Sequence, residues 1–244
     1  MRSSCTTLRR STSTPDDVPV SDVGDMAVLF DMDGLLVDSE PAWFEVESDV
    51  FARLQAPRPW SHADGRRLVG QELTVSAAEM VRLADSDRAA EEVADWFVDG
   101  MAERMADGVT WKPGAVRLLG ELRTHGIRTG LVSSSYRRLV DVVLAQLPRD
   151  TFAVSLAGDE VVRGKPDPEP YLRALALLKC PPARAVVLED SPAGATAAAA
   201  AGCTVVLVPD LAELPAEHGW LEVAGLSEVT LAWLRGLLLG GDRR

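Results

Sequence analysis

Short runs of aliphatic and β-branched residues, each followed by a helical pattern, constrain the fold of this chain more than any other feature. These runs have the length and composition of buried parallel strands. They cover residues 27–30, 128–132, 152–156, 185–188 and 204–208. Helical patterns follow at 113–124, 136–147, 168–178 and 191–201, several opened by Pro or Ser. The alternation predicts an α/β fold with a doubly wound, Rossmann-like parallel sheet.

One interval, residues 41–111, interrupts this alternation. It contains the helical patterns 43–54, 73–83 and 88–106 and no run typical of a strand. We therefore predict a helical cap domain at 41–111, inserted into a core domain made of 26–40 and 112–244. The connections near 38–41 and 109–113 would act as hinges, so the cap could cover whatever the first strand presents.

The first 25 residues carry Ser, Thr, Arg, Pro and Asp with almost no apolar periodicity. Such a segment cannot bury enough apolar surface to offset the entropy of ordering, which predicts a disordered tail at 1–25. It lacks the apolar run of a secretory signal, and no run elsewhere reaches membrane-spanning length. These features predict a soluble, cytoplasmic protein.

The net charge and the cysteine content of the chain limit the kinds of partner and metal that it is expected to bind. The formal net charge of -12 would repel nucleic acid and anionic membranes, whereas a small phosphorylated molecule needs only local positive charge. The three cysteines, Cys5, Cys180 and Cys203, lack the spacing of a disulfide framework or a zinc site. The three histidines are scattered without metal-ligand spacing, and none is assigned chemistry.

Chemically reactive residues follow four of the predicted strands, and in an open parallel sheet the ligand crevice lies at these carboxyl ends. They lie in the segments 31–34 (Asp-Met-Asp-Gly), 133–135 (Ser-Ser-Ser), 164–166 (Gly-Lys-Pro) and 189–191 (Glu-Asp-Ser). Asp-x-Asp-Gly alone is equally typical of a solvated turn. Carboxylates gathered from two strand ends would repel by a few kcal/mol per close pair at an effective dielectric of about 20. A hard divalent cation would relieve this repulsion, and oxygen-only ligands favour Mg²⁺.

The presence of Lys165 favours a catalytic site over a purely structural metal site. An ammonium group among carboxylates would balance a phosphate dianion that arrives beside a nucleophilic carboxylate. The chain has 22 arginines and only three lysines, and a compact ammonium fits between two anions where a guanidinium would crowd them.

The serines at 133–135 precede a predicted helix, which favours an N-cap role. Free backbone N–H groups at a helix start, together with the Ser133 hydroxyl, can also bind phosphate. Capping and phosphate binding are compatible at this position.

Taken together, these segments resemble the four motifs of the haloacid dehalogenase superfamily, in the subgroup with a helical cap after the first strand. The motifs read LFDMDGLLVDSE at 29–40, LVS at 131–133, GKPDP at 164–168 and LEDSPAG at 188–194. Four motifs in order at suitable spacing are far more specific than one, and together they span most of residues 26–208.

The resemblance implies a role for each matching residue. Asp31 would attack phosphorus and form an aspartyl phosphate, and Asp33 would act as general acid and then general base. Ser133, Ser134 and Lys165 would hold the phosphoryl group. Mg²⁺ would be bound by Asp31, by the Asp33 backbone carbonyl and by Asp190, with Glu189 assisting directly or through water. The predicted activity is Mg²⁺-dependent hydrolysis of a small phosphate ester such as a sugar phosphate.

Three other classes of protein share parts of this pattern. A β-phosphoglucomutase-like phosphomutase shares the fold, the cap and the motifs, but carries a histidine where this chain has Trp43. An indole cannot accept a hydrogen bond or titrate near neutral pH, so we favour transfer to water. A receiver-type signalling module is excluded by the order of its lysine and acids and by the insertion. An inactive binding homologue is disfavoured because every acid and the lysine are present.

Substrate specificity in this superfamily lies in the cap. The cap residues chosen by side-chain type alone are Arg53, Arg66, Arg67 and Gln71. Each also fits a solvated helix face.

Overall fold

The computed structural model describes residues 26–68, 71–210 and 219–238. The strands are β1 (Ala27–Phe30), β2 (Arg128–Val132), β3 (Val154–Leu156), β4 (Ala185–Glu189), β5 (Thr204–Leu207) and β6 (Leu221–Glu222). The helices are α1 (Glu40–Arg53), α2 (His62–Gly65), α3 (Leu73–Leu83), α4 (Ala90–Met105), α5 (Ala115–Thr124), α6 (Arg137–Leu144), α7 (Glu169–Leu178), α8 (Pro192–Ala200) and α9 (Leu231–Leu238). The predicted tail at 1–25 and His218 lie outside the described residues.

The six strands form one parallel sheet in the order β3-β2-β1-β4-β5-β6. Ala27 at the start of β1 pairs with Arg128 on one side and with Ala185 on the other, so β1 is central. The strand order reverses direction between β1 and β4, which is the topological switch point of a doubly wound sheet. The predicted fold class is confirmed.

Alternate side chains of the strands pack on opposite faces of the sheet, as the pleat requires. Val28 and Phe30 belong to the larger core cluster, which also contains buried residues of α5 and α9. Ala27 and Leu29 belong to the second cluster, with buried residues of α7 and α8. Covering both faces explains why the strand sequences are continuously apolar rather than alternating.

Several predicted element boundaries differ from the structure by a few residues, and two elements were missed. Strand β3 begins at Val154 rather than at residue 152, and α1 begins at Glu40 rather than at residue 43 because Pro41 occupies its first turn. Strand β6 and helix α9 were not predicted. A two-residue strand carries too little periodicity to be recognised in sequence.

Helices α1 to α4 lie between β1 and β2 in the chain, and the described residues from 40 to 105 contain no strand. Helix α4 packs on α1 and α3 within the insertion and on α6 of the core. The two connecting segments lie side by side: the Asp38 N–H donates to Thr110 O over 2.8 Å, and the Lys112 N–H donates to Leu36 O over 2.8 Å. The Lys112 Nζ also contacts Asp38 and, from the loop after β5, Asp210 at 3.0 and 2.9 Å. No helix in the described part of the chain is long and apolar enough to cross a membrane.

Candidate active site

Three acidic residues meet where the strand order reverses. Asp31 follows β1, Glu189 ends β4, and Asp190 comes next. The Asp31 N–H donates to Leu188 O over 3.1 Å, which extends the β1–β4 ladder and fixes the two strand ends side by side. All three side chains are buried, and one carboxylate oxygen from each lies within 4.8 Å of the others. The structure therefore brings together the acids that the sequence placed at separate strand ends.

Lys165 is buried within this group. Its Nζ donates to Asp31 Oδ1 at 2.5 Å, to Glu189 Oε1 at 2.6 Å and to the Val132 carbonyl at 2.9 Å. Burial lowers the pKa of Lys165, but the neighbouring Asp31 and Glu189 carboxylates outweigh it and hold that pKa above its usual range. The lysine is thus a fixed cation at the base of the site.

One buried cation does not balance three buried carboxyl groups. Burial raises the pKa of Asp31 to about 8; Lys165 opposes the rise, and Glu189 and Asp33 add to it. Burial, then the Asp31 and Glu189 charges, raise the pKa of Asp190 well above its ordinary value. A divalent cation beside these oxygens would favour their ionised forms, so the donor set and its charge fit Mg²⁺.

Glu189 is the most heavily bonded of the acids. Its Oε1 accepts from Lys165 and, over 2.5 Å, from the Tyr171 hydroxyl. Its Oε2 accepts from the Ser191 hydroxyl over 3.1 Å and from the Asp190 N–H over 3.2 Å. Both oxygens are therefore directed at protein donors, an arrangement that positions the lysine. Tyr171 was missed in the sequence, where it reads as one more apolar position of α7.

Asp33 lines the same cavity and is restrained by four side-chain donors. The Ser39 hydroxyl donates to its Oδ1 over 2.7 Å, and the Trp43 Nε1–H approaches the same oxygen at 3.3 Å. The Ser135 hydroxyl donates to Oδ2 over 2.8 Å, and the Ser133 hydroxyl approaches the same oxygen at 3.5 Å. Trp43 therefore contacts the carboxylate directly. Ser135 and Ser39 are functional contacts that the sequence reasoning did not assign, although both lie inside the segments it selected.

The serines after β2 line the same cavity as the acids. The Ser133 Oγ accepts from the Ser135 N–H over 3.0 Å, and Ser134 lies next to it on the cavity wall. The predicted N-cap was wrong: α6 has Tyr136 at its N-cap position, with no side-chain capping bond there. Asp159, from the loop after β3, accepts from the Arg137 N–H over 2.8 Å instead.

Two positions in the motifs require glycine because a carboxylate lies close to the backbone there. Gly34 has a φ of +78°, and a Cβ there would lie 2.2 Å from Asp190 Oδ2. A Cβ on Gly194 would lie 1.8 Å from Glu189 Oε1. At both positions the backbone therefore packs directly against a carboxylate of the site. Any side chain there would collide with that carboxylate.

A cavity opens above these groups between the core and the insertion. Its core side is lined by Asp31, Asp33, Ser133, Ser134, Ser135, Lys165, Asp190 and Ser191. Its insertion side is lined by Glu40, Trp43, Glu47, Leu68, Gln71, Leu73, Ser76 and Phe97. Of the four cap residues considered from sequence, Gln71 lines the cavity. Arg53 lies over the Trp96 ring at 3.6 Å, and Arg66 and Arg67 are exposed, so these three do not form the site.

The sheet order, the buried acids at its switch point and the cavity above them define an α/β enzyme of the doubly wound class. Residues 26–202 match the haloacid dehalogenase-like hydrolase family. The chain belongs to that family, which confirms the resemblance drawn from the four motifs.

Individual relatives agree in fold and in sequence. The chain is 34% identical over 192 residues to protein CbbY of Rhodobacter capsulatus, covering 75% of this chain and 85% of that protein. It is 34% identical over 191 residues to hexitol phosphatase A of Escherichia coli K12, covering 77% and 84%. A crystal structure of a CbbY mutant from Rhodobacter sphaeroides in complex with xylulose-(1,5)bisphosphate superposes with a TM-score of 0.79 at 28% identity, covering 85% of this chain and 98% of that one.

Proposed function

We propose that this protein is a Mg²⁺-dependent phosphatase that hydrolyses a small phosphate monoester through an aspartyl phosphate on Asp31. The observation that carries the proposal is the contact of the buried Asp31 with Lys165 at the base of a cavity, two residues before Asp33. Names of relatives such as hexitol phosphatase support the same class of reaction.

Asp31 has the position of a nucleophile. One of its oxygens is held by Lys165 at 2.5 Å, and its carboxyl group lines the cavity where an ester would enter. Attack on phosphorus would form the acyl phosphate and release the alcohol, and water would then regenerate the carboxylate. Splitting the displacement into two steps is the usual advantage of a covalent intermediate.

Asp33 has the position of the general acid and base. It lines the cavity next to Asp31, where it would give a proton to the departing alkoxide and later take one from the attacking water. Its carboxylate is held in one orientation by the hydroxyl groups of Ser39, Ser133 and Ser135 and by the Trp43 indole. Because hydroxyl and indole donors do not titrate near neutral pH, they would restrain Asp33 without changing charge.

Mg²⁺ would be held by Asp31 and Asp190, with the Asp33 backbone carbonyl as a third protein ligand. Glu189 would act mainly through Lys165, because both of its oxygens already accept protein hydrogen bonds. The ion would supply charge neutralisation for the phosphoryl oxygens. Lys165, Ser133 and Ser134 would hold the phosphoryl group from the protein side.

Transfer to water rather than to a second sugar phosphate is the favoured outcome, because this chain has Trp43 beside Asp33. A titratable side chain at that position could release Asp33 in response to the sugar, whereas an indole can only donate one hydrogen bond. A phosphomutase is the alternative activity, and the test below separates the two.

The test is phosphate release by the purified full chain from a panel of phosphate monoesters, with Mg²⁺ and with chelator. We expect release that requires Mg²⁺ and disappears in Asp31→Asn. Glucose 1-phosphate with a bisphosphate primer is then assayed for both products. No release from any ester would overturn the proposal, and interconversion of sugar phosphates much faster than phosphate release would assign the mutase instead.

A further inference from the structure

The two sides of the cavity differ in charge. The core side combines Asp31, Asp33 and Asp190 with the cation Lys165, whereas the insertion side carries two carboxyl groups and, among the described residues that line it, no cation. Its residues Glu40, Trp43 and Glu47 are called the acidic wall. These three residues are spaced three and four apart on α1 and so share one face of that helix. The acidic wall lines, from the insertion side, the same cavity that contains Lys165 and Asp31, and the leaving group of a phosphate ester bound at Asp31 would have to occupy this cavity.

Glu47 is fixed in this wall by a contact from another segment. The Trp60 Nε1–H donates to Glu47 Oε2 over 2.8 Å. Burial raises the pKa of Glu47 to about 7, against the lowering effect of this hydrogen bond. Burial and the Asp33 charge likewise raise the pKa of Glu40 to about 7. The Trp60 hydrogen bond therefore holds the Glu47 carboxyl group in place.

Among the described residues that line the insertion side, none is a cation that could pair with a second anion. Lys112 acts on Glu40 from outside the cavity lining, but its Nζ is already paired with Asp38 and Asp210. Among the described residues that line the cavity, Lys165 is the only cation, and its Nζ is already bound by Asp31 and Glu189 at the base. The other polar groups of the insertion side, Gln71 and Ser76, are neutral. The internal stretches outside the described residues, 69–70 and 211–218, contain no lysine or arginine.

We propose that Glu47 is a specificity-determining residue that selects leaving groups which are uncharged and carry hydroxyls, and rejects those with a second phosphate or a carboxylate. Hydroxyl groups would donate to the carboxyl oxygens of the acidic wall, whereas a second anion would lose its hydration there and meet like charge. The proposal rests on the phosphatase function above. It also disfavours a phosphomutase, because a mutase must hold a sugar bisphosphate in the same cavity.

This selectivity would give the chain a different ligand preference from that of a relative with the same fold. The superposed CbbY mutant was crystallised with xylulose-(1,5)bisphosphate, a ligand with two phosphates. We expect that compound to be a poor ligand for this chain.

The test compares sorbitol 6-phosphate with 6-phosphogluconate, two open-chain molecules of the same length that differ at C1 in a hydroxymethyl group against a carboxylate. Each is used as a competitor of p-nitrophenyl phosphate hydrolysis by the full chain at pH 8 with saturating Mg²⁺, so that binding is measured even without turnover of the competitor. Sorbitol 6-phosphate and xylulose 1,5-bisphosphate form a second pair. We expect the uncharged leaving group to bind about tenfold or more tightly in both pairs, which is about 1.4 kcal/mol.

Glu47→Gln keeps the size of the side chain and an oxygen that can accept from Trp60. Because it removes one like charge from the cavity, it should reduce the ratio of affinities for the uncharged and the anionic competitor to about threefold or less. The control is Glu45→Gln on the same helix, whose carboxylate is exposed and pairs with Arg104 at 3.2 Å. It should keep the wild-type ratio.

Equal or tighter binding of the anionic competitors to the wild type would overturn the inference and leave the phosphatase proposal standing. A wild-type ratio that survives in Glu47→Gln would overturn the role of Glu47. Absence of Mg²⁺-dependent hydrolysis of every ester would overturn the proposed function and this inference with it.

Discussion

Replacing Glu47 by Gln should stabilise the metal-free protein at alkaline pH. The pKa of Glu47 rises from 4.5 to about 7 in the folded chain because the side chain is buried. A carboxyl group whose pKa is raised on folding binds its proton more tightly in the native state, so its ionisation opposes folding. The penalty is absent below about pH 4.5, grows between about pH 4.5 and pH 7, and is complete above about pH 7.

The magnitude follows from the shift in the pKa. A pKa rise of about 2.5, at about 1.4 kcal/mol for each pKa unit, gives roughly 3–4 kcal/mol as an upper value. Because the Glu47 carboxyl faces a cavity that water can enter, we expect roughly 1–3 kcal/mol of this in practice. For a chain of this size, about 1 kcal/mol changes the melting temperature by roughly 2–4 °C. The expected gain in melting temperature at pH 8 is therefore roughly 2–12 °C.

The assay is thermal unfolding in chelator at pH 5 and at pH 8, for the wild type, Glu47→Gln and Glu45→Gln. The gain of Glu47→Gln should be large at pH 8 and much smaller at pH 5, whereas Glu45→Gln should follow the wild type at both. A lower melting temperature for Glu47→Gln at pH 8, or the same change at both pH values, would refute the argument from burial.

Three further predictions concern the acids at the switch point. Asp31→Asn should abolish turnover without lowering the melting temperature in chelator, because it removes a nucleophile and a buried charge together; Mg²⁺-dependent hydrolysis by pure variant protein would contradict this. Asp190→Asn should raise the melting temperature in chelator by relieving repulsion from Asp31 and Glu189, and should weaken the stabilisation by Mg²⁺; an unchanged response to Mg²⁺ would count against the metal site. Trp43→Phe should lower kcat about two- to tenfold through the loss of one hydrogen bond to Asp33, worth about 1 kcal/mol, with the melting temperature nearly unchanged; an unaltered kcat would show that the indole does not position the acid.

The core of the site could be predicted from sequence because each of its parts is local. Asp31 and Asp190 directly follow buried apolar runs, and parallel strands place such residues at one edge of the sheet. Lys165 was selected by its rarity in an arginine-rich chain and by its motif. The structure places its Nζ 2.5 Å from Asp31.

The serines after β2 show where local reasoning fails. A serine run before a helix resembles an N-cap, but the chain turns so that the Ser135 hydroxyl donates to Asp33 and the cap is supplied by Asp159. The same pattern fits both uses, because an N-cap motif does not specify what lies opposite the hydroxyl.

Sequence by itself determined the fold class, the insertion between the first two strands and the acids and lysine at the strand ends, because strand and helix periodicities and motif spacings are properties of neighbouring residues. Tertiary structure alone decided that Tyr171 holds Glu189, that Trp43 contacts Asp33 and that Trp60 fixes Glu47. These pairs are separated by 18, 10 and 13 residues, and each contact depends on how a helix or loop is oriented against its neighbour. No local pattern encodes that orientation; it is set by close packing of the whole core, in which small changes of angle exchange one side-chain partner for another.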